Sequence, residues 1–193
     1  MEYLFILALF IVVIVSIIYL PIRLYNNIII NENNAKRAWS NTVVYQKQLL
    51  ELIPRLEANL NSYKDYEKAT LTDIVSLRES IKKVSSDDVD VEKLSKSYDE
   101  TQQLISKLNV RLEQYPELKA NTVYLKFMDS LSDNYTNVTS AIRIFNSCVN
   151  AFNDSITMFP HFIINIIFLK KHKLDSFQHS RSEDSLGGFK PNF

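Results

Sequence analysis

Glycine is almost missing from this chain. Two are present among 193 residues, Gly187 and Gly188, both near the end. Glycine-rich phosphate loops of the P-loop or dinucleotide type are therefore excluded. Tight β-hairpins are disfavoured too, because the positive-φ turns they need have almost no supplier. Cys148 is the sole cysteine, so no intramolecular disulfide can form, which is compatible with a reducing compartment. Charge of one sign is not in surplus: 22 basic residues balance 22 acidic ones. Neutralising nucleic-acid phosphates needs a basic excess, so nucleic acid is not the main partner. The histidines, His161, His172 and His179, fit no HExxH or Cys/His ligand spacing.

One stretch lacks charge altogether. From Tyr3 to Ile22 the chain reads YLFILALFIVVIVSIIYLPI. About 20 apolar helical residues cross the hydrocarbon core of a bilayer. A cleaved signal peptide would carry a basic leader, a shorter apolar run and a small-x-small cut site. Here the leader is Met1-Glu2 and the run is too long. The run has no polar face, as a surface or core-facing helix would. We read residues 1–22 as an uncleaved membrane anchor, with Leu4, Phe5, Ile6, Leu9, Phe10, Val13, Ile17 and Leu20 meeting lipid. Glu2 is the only side-chain charge before the run, whereas Arg23, Lys36 and Arg37 come after it. The positive-inside rule then puts the N-terminus outside and the remaining domain in the cytoplasm.

Beyond the anchor the apolar residues recur in alternating steps of four and three. One series runs Tyr124, Met128, Leu131, Tyr135, Val138, Ile142, Phe145, Val149, Phe152, Ile156, Phe159. A second runs Val91, Leu94, Tyr98, Thr101, Ile105, Leu108, Leu112, Tyr115. A third runs Ile53, Leu56, Leu60, Tyr63, then polar Glu67 and Thr70, then Ile74, Leu77, Ile81, Val84. The weakest is Tyr25, Ile28, Glu32, Ala35, Trp39, Thr42, Gln46, Leu49. Such spacing is a helix seam. Ser85-Ser86-Asp87-Asp88 reads as a polar turn whose aspartates cap the next helix. Pro116 suits the first position of a helix. Pro54 either starts a helix or kinks a longer one, and Pro160 ends the last. The predicted helices are 23–52, 54–84, 89–114 and 117–158, all within an all-α, antiparallel up-and-down four-helix bundle over residues 23–160.

These residues carry a family likeness. Tyr25-Asn26, Ala38-Trp39-Ser40, Leu52-Ile53-Pro54 with Leu56, and Tyr63 followed by Glu67 resemble the opening of a LemA family domain. Tyr115-Pro116-Glu117-Leu118-Lys119-Ala120-Asn121 is similar to the family's YPxLKAN signature. Phe145-Asn146, Val149, Phe152-Asn153, Ile156 and Phe159-Pro160 resemble its YNxxVxxYNxxIxxFP ending. The resemblance implies a bacterial single-pass membrane protein with a four-helix bundle. It also implies charges that this chain lacks. Val43 stands where the family has aspartate, Gln48 and Leu49 where it has basic residues, and Ile142 where it has arginine. A Glu–x–Arg pair is replaced around Tyr135 and Asn137.

No reactive constellation emerges from the residues. Cys148 sits beside the seam of the last helix, between Phe145 and Val149, and reads as a small buried thiol rather than a nucleophile. Glu67 is a lone carboxylate on a seam, without an acid–base partner. Asn146 and Asn153 share a helix face, suited to interhelix hydrogen bonds or to capping a loop. Neither cofactor nor small-molecule substrate is evident, and no catalysis is expected.

The end of the chain divides in two. Residues 161–174 form an apolar and then basic segment: Phe162, Ile163, Ile166, Ile167 and Phe168 surround Asn165, and Lys170, Lys171 and Lys173 come next. This is too short to span. It either docks on the bilayer, with all three lysines at anionic headgroups, or packs on the bundle's own end. Residues 175–193 read as a polar disordered tail. The expected partners are the lipid bilayer and either a second protein or another copy of the chain. A membrane-anchored scaffold is the leading expectation. The alternatives are an accessory subunit of a membrane or envelope-associated enzyme complex and an envelope-stress or membrane-remodelling component.

Overall fold

The computed structural model describes residues 1–60, 68–115 and 121–178. Within them, all regular structure is helical. In chain order the elements are α1 (Glu2–Leu60), α2 (Lys68–Lys83), α3 (Val91–Gln114), α4 (Thr122–Thr157) and a short α5 (His161–Ile164), which continues into a π-helical turn (Asn165–Leu169). Tyr63, Glu67 and Pro116 lie outside the described residues, as does the end of the chain from residue 179.

The first difference from the sequence reading concerns α1. The apolar run and the first bundle helix form one element, which passes through both Pro21 and Pro54. A proline inside a helix forfeits one backbone hydrogen bond and crowds the carbonyl four residues back. Pro54 is exposed, so water can satisfy that carbonyl, and the helix reaches Leu60 rather than stopping at residue 52. The start of α3 is also displaced. Its cap is Asp90, whose carboxylate accepts the Lys93 N–H at 2.9 Å, not Asp87 or Asp88. Asp90 is a good N-cap because its φ of −115° is extended. Its carboxyl is held below the ordinary range by hydrogen bonds from the Lys93 side chain and backbone. Asn121 caps α4 in the same manner, its side-chain oxygen accepting the Tyr124 N–H at 3.2 Å.

The described residues divide into two compact units, one drawn from residues 37–145 with 176–178 and the other from residues 1–36 with 146–175. In the first, four helices share one core. Leu49 and Ile53 come from α1, Ile74, Leu77 and Ile81 from α2, Leu104 and Leu108 from α3, and Tyr124, Phe127, Met128 and Leu131 from α4. Hydroxyls of Ser76 and Ser80 on α2 donate to Glu100 on α3, and Lys107 pairs with Asp73 at 2.6 Å. Trp39 is 1% exposed. Its indole N–H donates to the Ser85 carbonyl at 2.9 Å, and its ring lies 5.3 Å from that of Phe145. One side chain thus ties α1 to α4 by ring contact and to the turn after α2 by a hydrogen bond.

The stripe of α1 that read weakest in the sequence is buried. Trp39, Val43, Leu49 and Ile53 are joined there by Thr42 and Gln46. Thr42 bonds back to the Ala38 carbonyl at 2.9 Å. Gln46 donates to the Ser97 hydroxyl at 3.1 Å, and Ser97 donates onward to the Leu94 carbonyl. Buried polar groups are tolerated when they are bonded, and alternation of apolar with bonded polar residues hides such a stripe from a hydropathy pattern. Tyr135 stacks on Tyr98 at 4.9 Å, and the Tyr98 hydroxyl lies 2.9 Å from that of Thr139. Burial, then the hydrogen bond to Tyr98, pushes the Tyr135 hydroxyl well above its usual pKa.

One residue of the stretch read as a polar tail has a defined contact. Phe177 is buried edge-on against Tyr98, with ring centres 5.5 Å apart. A single aromatic among polar neighbours supplies its own reason to order.

Truncating a buried tryptophan costs about 3–5 kcal/mol, and each kcal/mol is worth roughly 2–4 °C in a chain of this size. Trp39→Ala should therefore lower the melting temperature by more than about 5 °C, read by circular dichroism of the detergent-solubilised chain. An unchanged curve would mean that the indole carries none of the packing described for it.

Candidate membrane-proximal site

The second unit is built around the emergence of α1 from its apolar run. Every residue from Met1 to Leu20 is exposed, including Leu4, Phe5, Ile6, Leu9, Phe10, Val13, Ile17 and Leu20. This stretch is long and apolar enough to cross a membrane, and none of it is buried in the protein. Just beyond it, α1 begins to bury side chains. Ile28 packs with Phe152 and Ile156 of α4 and with Ile164 of α5, and Leu24, Leu169 and Leu174 close around them.

Between Thr157 and His161 the chain turns by 79°. The Phe159–Pro160 peptide is cis, and Pro160 stands at the N-cap of α5. Phe159, a seam position by spacing, is 77% exposed, because α4 has already ended at Thr157 and the helical period no longer sets its direction. Its ring meets Phe162 at 6.4 Å. The π-helical turn closes at Lys170, whose φ of 50° is left-handed. Such a conformation is unusual for a residue with a side chain.

Two asparagines hold this turn and the loop after it. The Asn165 amide accepts the Lys171 N–H at 2.8 Å and donates to the Lys171 carbonyl at 3.1 Å. The Asn153 amide does the same with Leu174, both bonds at 2.9 Å. Each side chain thus offers one acceptor and one donor to a single backbone residue, as a neighbouring strand would. Asn153 acts on its own loop, while Asn146 is half-buried on the same face of α4.

Lys171 is not at a free surface. Its ammonium reaches both oxygens of Glu32, at 3.0 and 3.1 Å, while Lys36 meets the same carboxylate at 2.7 Å. Of the three lysines expected at headgroups, Lys171 is therefore turned inward by Glu32, a position in the weakest of the four seams. Lys170 and Lys173 are exposed. Burial alone would raise the Glu32 carboxyl, but the hydrogen bonds and charges of Lys36 and Lys171 outweigh it and hold the pKa below the ordinary value.

The remaining sequence candidates are dispersed. Cys148 is half-buried with a free thiol, and Tyr115, the cap of α3, is 47% exposed. No three metal-ligating side chains cluster among the described residues. In the four-helix unit a groove of about 180 Å³ lies between α1 and α4, lined by Ala38, Asn41, Tyr45, Asn137, Ser140 and Ile144. A wider open hollow of about 530 Å³ beside α2 and α3 holds the Lys107–Asp73 pair.

The sign of the Glu32 effect is fixed by its lowered pKa. The stabilisation is present above the unfolded value of about 4.5 and is lost as pH falls through the lower folded value. Glu32→Gln should cost about 1 kcal/mol near neutrality, since charge-assisted bonds are strong but one lysine here is well exposed. Melting curves from pH 7 to pH 3 should converge for the two proteins at the acid end, roughly where carboxylates take up protons. A constant offset across that range would remove Glu32 as the titrating group.

A family model described as the LemA family matches residues 38–186. The chain is 26% identical over 158 residues to Protein LemA of Metamycoplasma hominis, covering 82% of this chain and 71% of that protein. With the all-helical fold, the apolar helix at its start and a family match over most of its length, this chain belongs to the LemA family.

Proposed function

We propose that the protein is a membrane-anchored helical scaffold, with its bundle in the cytoplasm and a partner or second copy bound along a helical face. One observation carries this reading: α1 runs without interruption from Glu2 to Leu60. Its first turns, apolar and exposed throughout, are suited to a bilayer, and its later turns supply Leu49 and Ile53 to the core of the four-helix unit. The protein performs no chemistry of its own in this reading, and its contribution is placement. The binding face is the α1–α4 groove, where small residues allow close approach and Val44, Tyr45 and Ile144 stand 53%, 38% and 60% exposed beside it. Exposed apolar and aromatic side chains next to a groove are the usual anchors of a helical partner.

A photoreactive residue placed at Val44, Tyr45 or Ile144 in living cells should give a discrete protein adduct, either a homodimer or a defined heterodimer on denaturing gels. Absence of an adduct at all three positions would argue against the scaffold reading. An adduct with an enzyme that loses activity when this chain is deleted would make it an accessory subunit.

The orientation has its own test. In a Cys148→Ser background, Ser130→Cys lies on an exposed part of α4. It should resist a membrane-impermeant maleimide in intact cells and react on lysis, while Glu2→Cys should react in both. The reverse pattern would invert the topology.

A further inference from the structure

The segment from Phe159 to Phe168 is inside out. Asn165, its one polar residue after Pro160 and His161, is 8% exposed and fully engaged with Lys171. Ile164 and Leu169 face the protein. The side chains left outside are Phe159, Ile163, Ile166, Ile167 and Phe168, with exposures of 77, 39, 63, 58 and 65%. Water selects the opposite arrangement, and a contiguous exposed apolar patch marks a surface that meets something other than water.

The position of the patch along α1 says what that is. The segment packs on Leu24 and Ile28. At 1.5 Å per residue these lie about 3 and 9 Å beyond Ile22. A run of about 20 apolar residues matches the hydrocarbon thickness, so its end marks the edge of the core. The headgroup region adds about 5–7 Å on each side. The patch is thus held at the level where an interfacial helix lies, its apolar face sunk about 5–10 Å into the boundary. Its direction fits as well, since the 79° turn lays the segment across α4 rather than along it. Tyr25, 40% exposed on α1, adds an aromatic at the same level.

Charge complements the geometry. Past the apolar run, this unit carries Arg23, Lys36, Lys170, Lys171 and Lys173 against Glu32, Asp154 and Asp175. Glu32 is already neutralised by two lysines. Lys170 and Lys173 come directly after the patch and are exposed.

We propose that residues 159–173 form an interfacial foot that rests on the same leaflet from which α1 emerges, with Ile163, Ile166, Ile167 and Phe168 in the lipid boundary and Lys170 and Lys173 at anionic headgroups. The proposal rests on the anchor reading of α1. The Asn165 and Asn153 clasps and the Lys171–Glu32 pair fix the foot to α1 and α4, so it adds a second point of attachment beside the anchor. A unit that meets the leaflet at two points has its tilt set as well as its height.

The test uses the full chain with Cys148→Ser and one new cysteine carrying an environment-sensitive fluorophore, reconstituted into vesicles. Ile167→Cys reports the foot, Val13→Cys the anchor and Ser130→Cys the bundle. Nitroxides on the lipid are placed shallow or deep. The expected result is blue-shifted emission at position 167, quenched more by shallow than by deep nitroxides. Position 13 should be quenched most by deep ones, and position 130 should stay aqueous. Vesicles containing phosphatidylglycerol should enlarge the shift at position 167 over phosphatidylcholine alone, and Lys170→Gln with Lys173→Gln should remove that difference. A lipidic position 13 with an aqueous position 167 overturns the foot and leaves the anchor standing. An aqueous position 13 overturns the anchor itself. Emission at position 167 that is blue-shifted but quenched by neither nitroxide means the patch is covered by a second copy, which also overturns the proposal.

Discussion

A helix that continues for 59 residues has its rotational phase set once. Each residue turns it by about 100°, so the face shown at one level fixes the faces shown above it. On α1 the consequence is visible as one buried stripe through Ile28, Glu32, Ala35, Trp39, Thr42, Gln46, Leu49 and Ile53. The other elements must present partners to this stripe wherever it faces. In one unit Phe152 and Ile164 do so, and in the other Phe145 and Ser97 do so.

This constraint accounts for the polar residues in the stripe. Glu32, Thr42 and Gln46 cannot turn away without moving their apolar neighbours, so Glu32 and Thr42 are bonded in place and Gln46 is held through its amide N–H, its side-chain oxygen being left without a partner among the described residues. The bonds differ in reach. Thr42 satisfies itself within α1, Gln46 needs a hydroxyl on α3, and Glu32 needs a lysine from beyond α5. Family charges absent at Val43, Leu49 and Ile142 fall at positions buried here, at 1%, 1% and 6% exposure. Replacing buried ionic groups by packed apolar ones is often neutral or stabilising, and the stacked Tyr98–Tyr135 pair occupies part of that layer.

The four-and-three spacing marks the buried apolar residues Ile74, Leu77 and Ile81 of α2, though not buried Ser80, and most of the buried residues of α3 and α4, because their seams are nearly all apolar. On α1 the same spacing marks Ile28, Glu32, Ala35, Trp39, Thr42, Gln46 and Leu49, all buried, although hydropathy is faint there because apolar and polar side chains share the stripe. Pro54 was ambiguous because a proline's effect depends on whether the carbonyl it deprives can reach water, which the local sequence does not state. Asp90 was passed over for Asp87 and Asp88, since three aspartates in one turn offer the same chemistry and only the backbone angles choose among them. The unit formed by residues 1–36 with 146–175 was legible in composition but not in detail. The pairing of Lys171 with Glu32 spans 139 positions, and no periodicity links two residues so far apart. The apolar segment was visible, yet which of its residues face inward was decided by Asn165 and its partner Lys171.

The two asparagine clasps grip main-chain atoms rather than side chains. Residue 174 is held through its own N–H and carbonyl, so a wide range of residues could satisfy that clasp, proline excepted. What the clasps do register is count. Asn165 takes hold six residues ahead of itself and Asn153 twenty-one ahead, so the two amides measure the intervening chain like fixed marks on a rule. Substitution within the hook is cheap by this mechanism. Insertion or deletion of a single residue is not, because it would offer each amide a neighbouring backbone unit facing the other way.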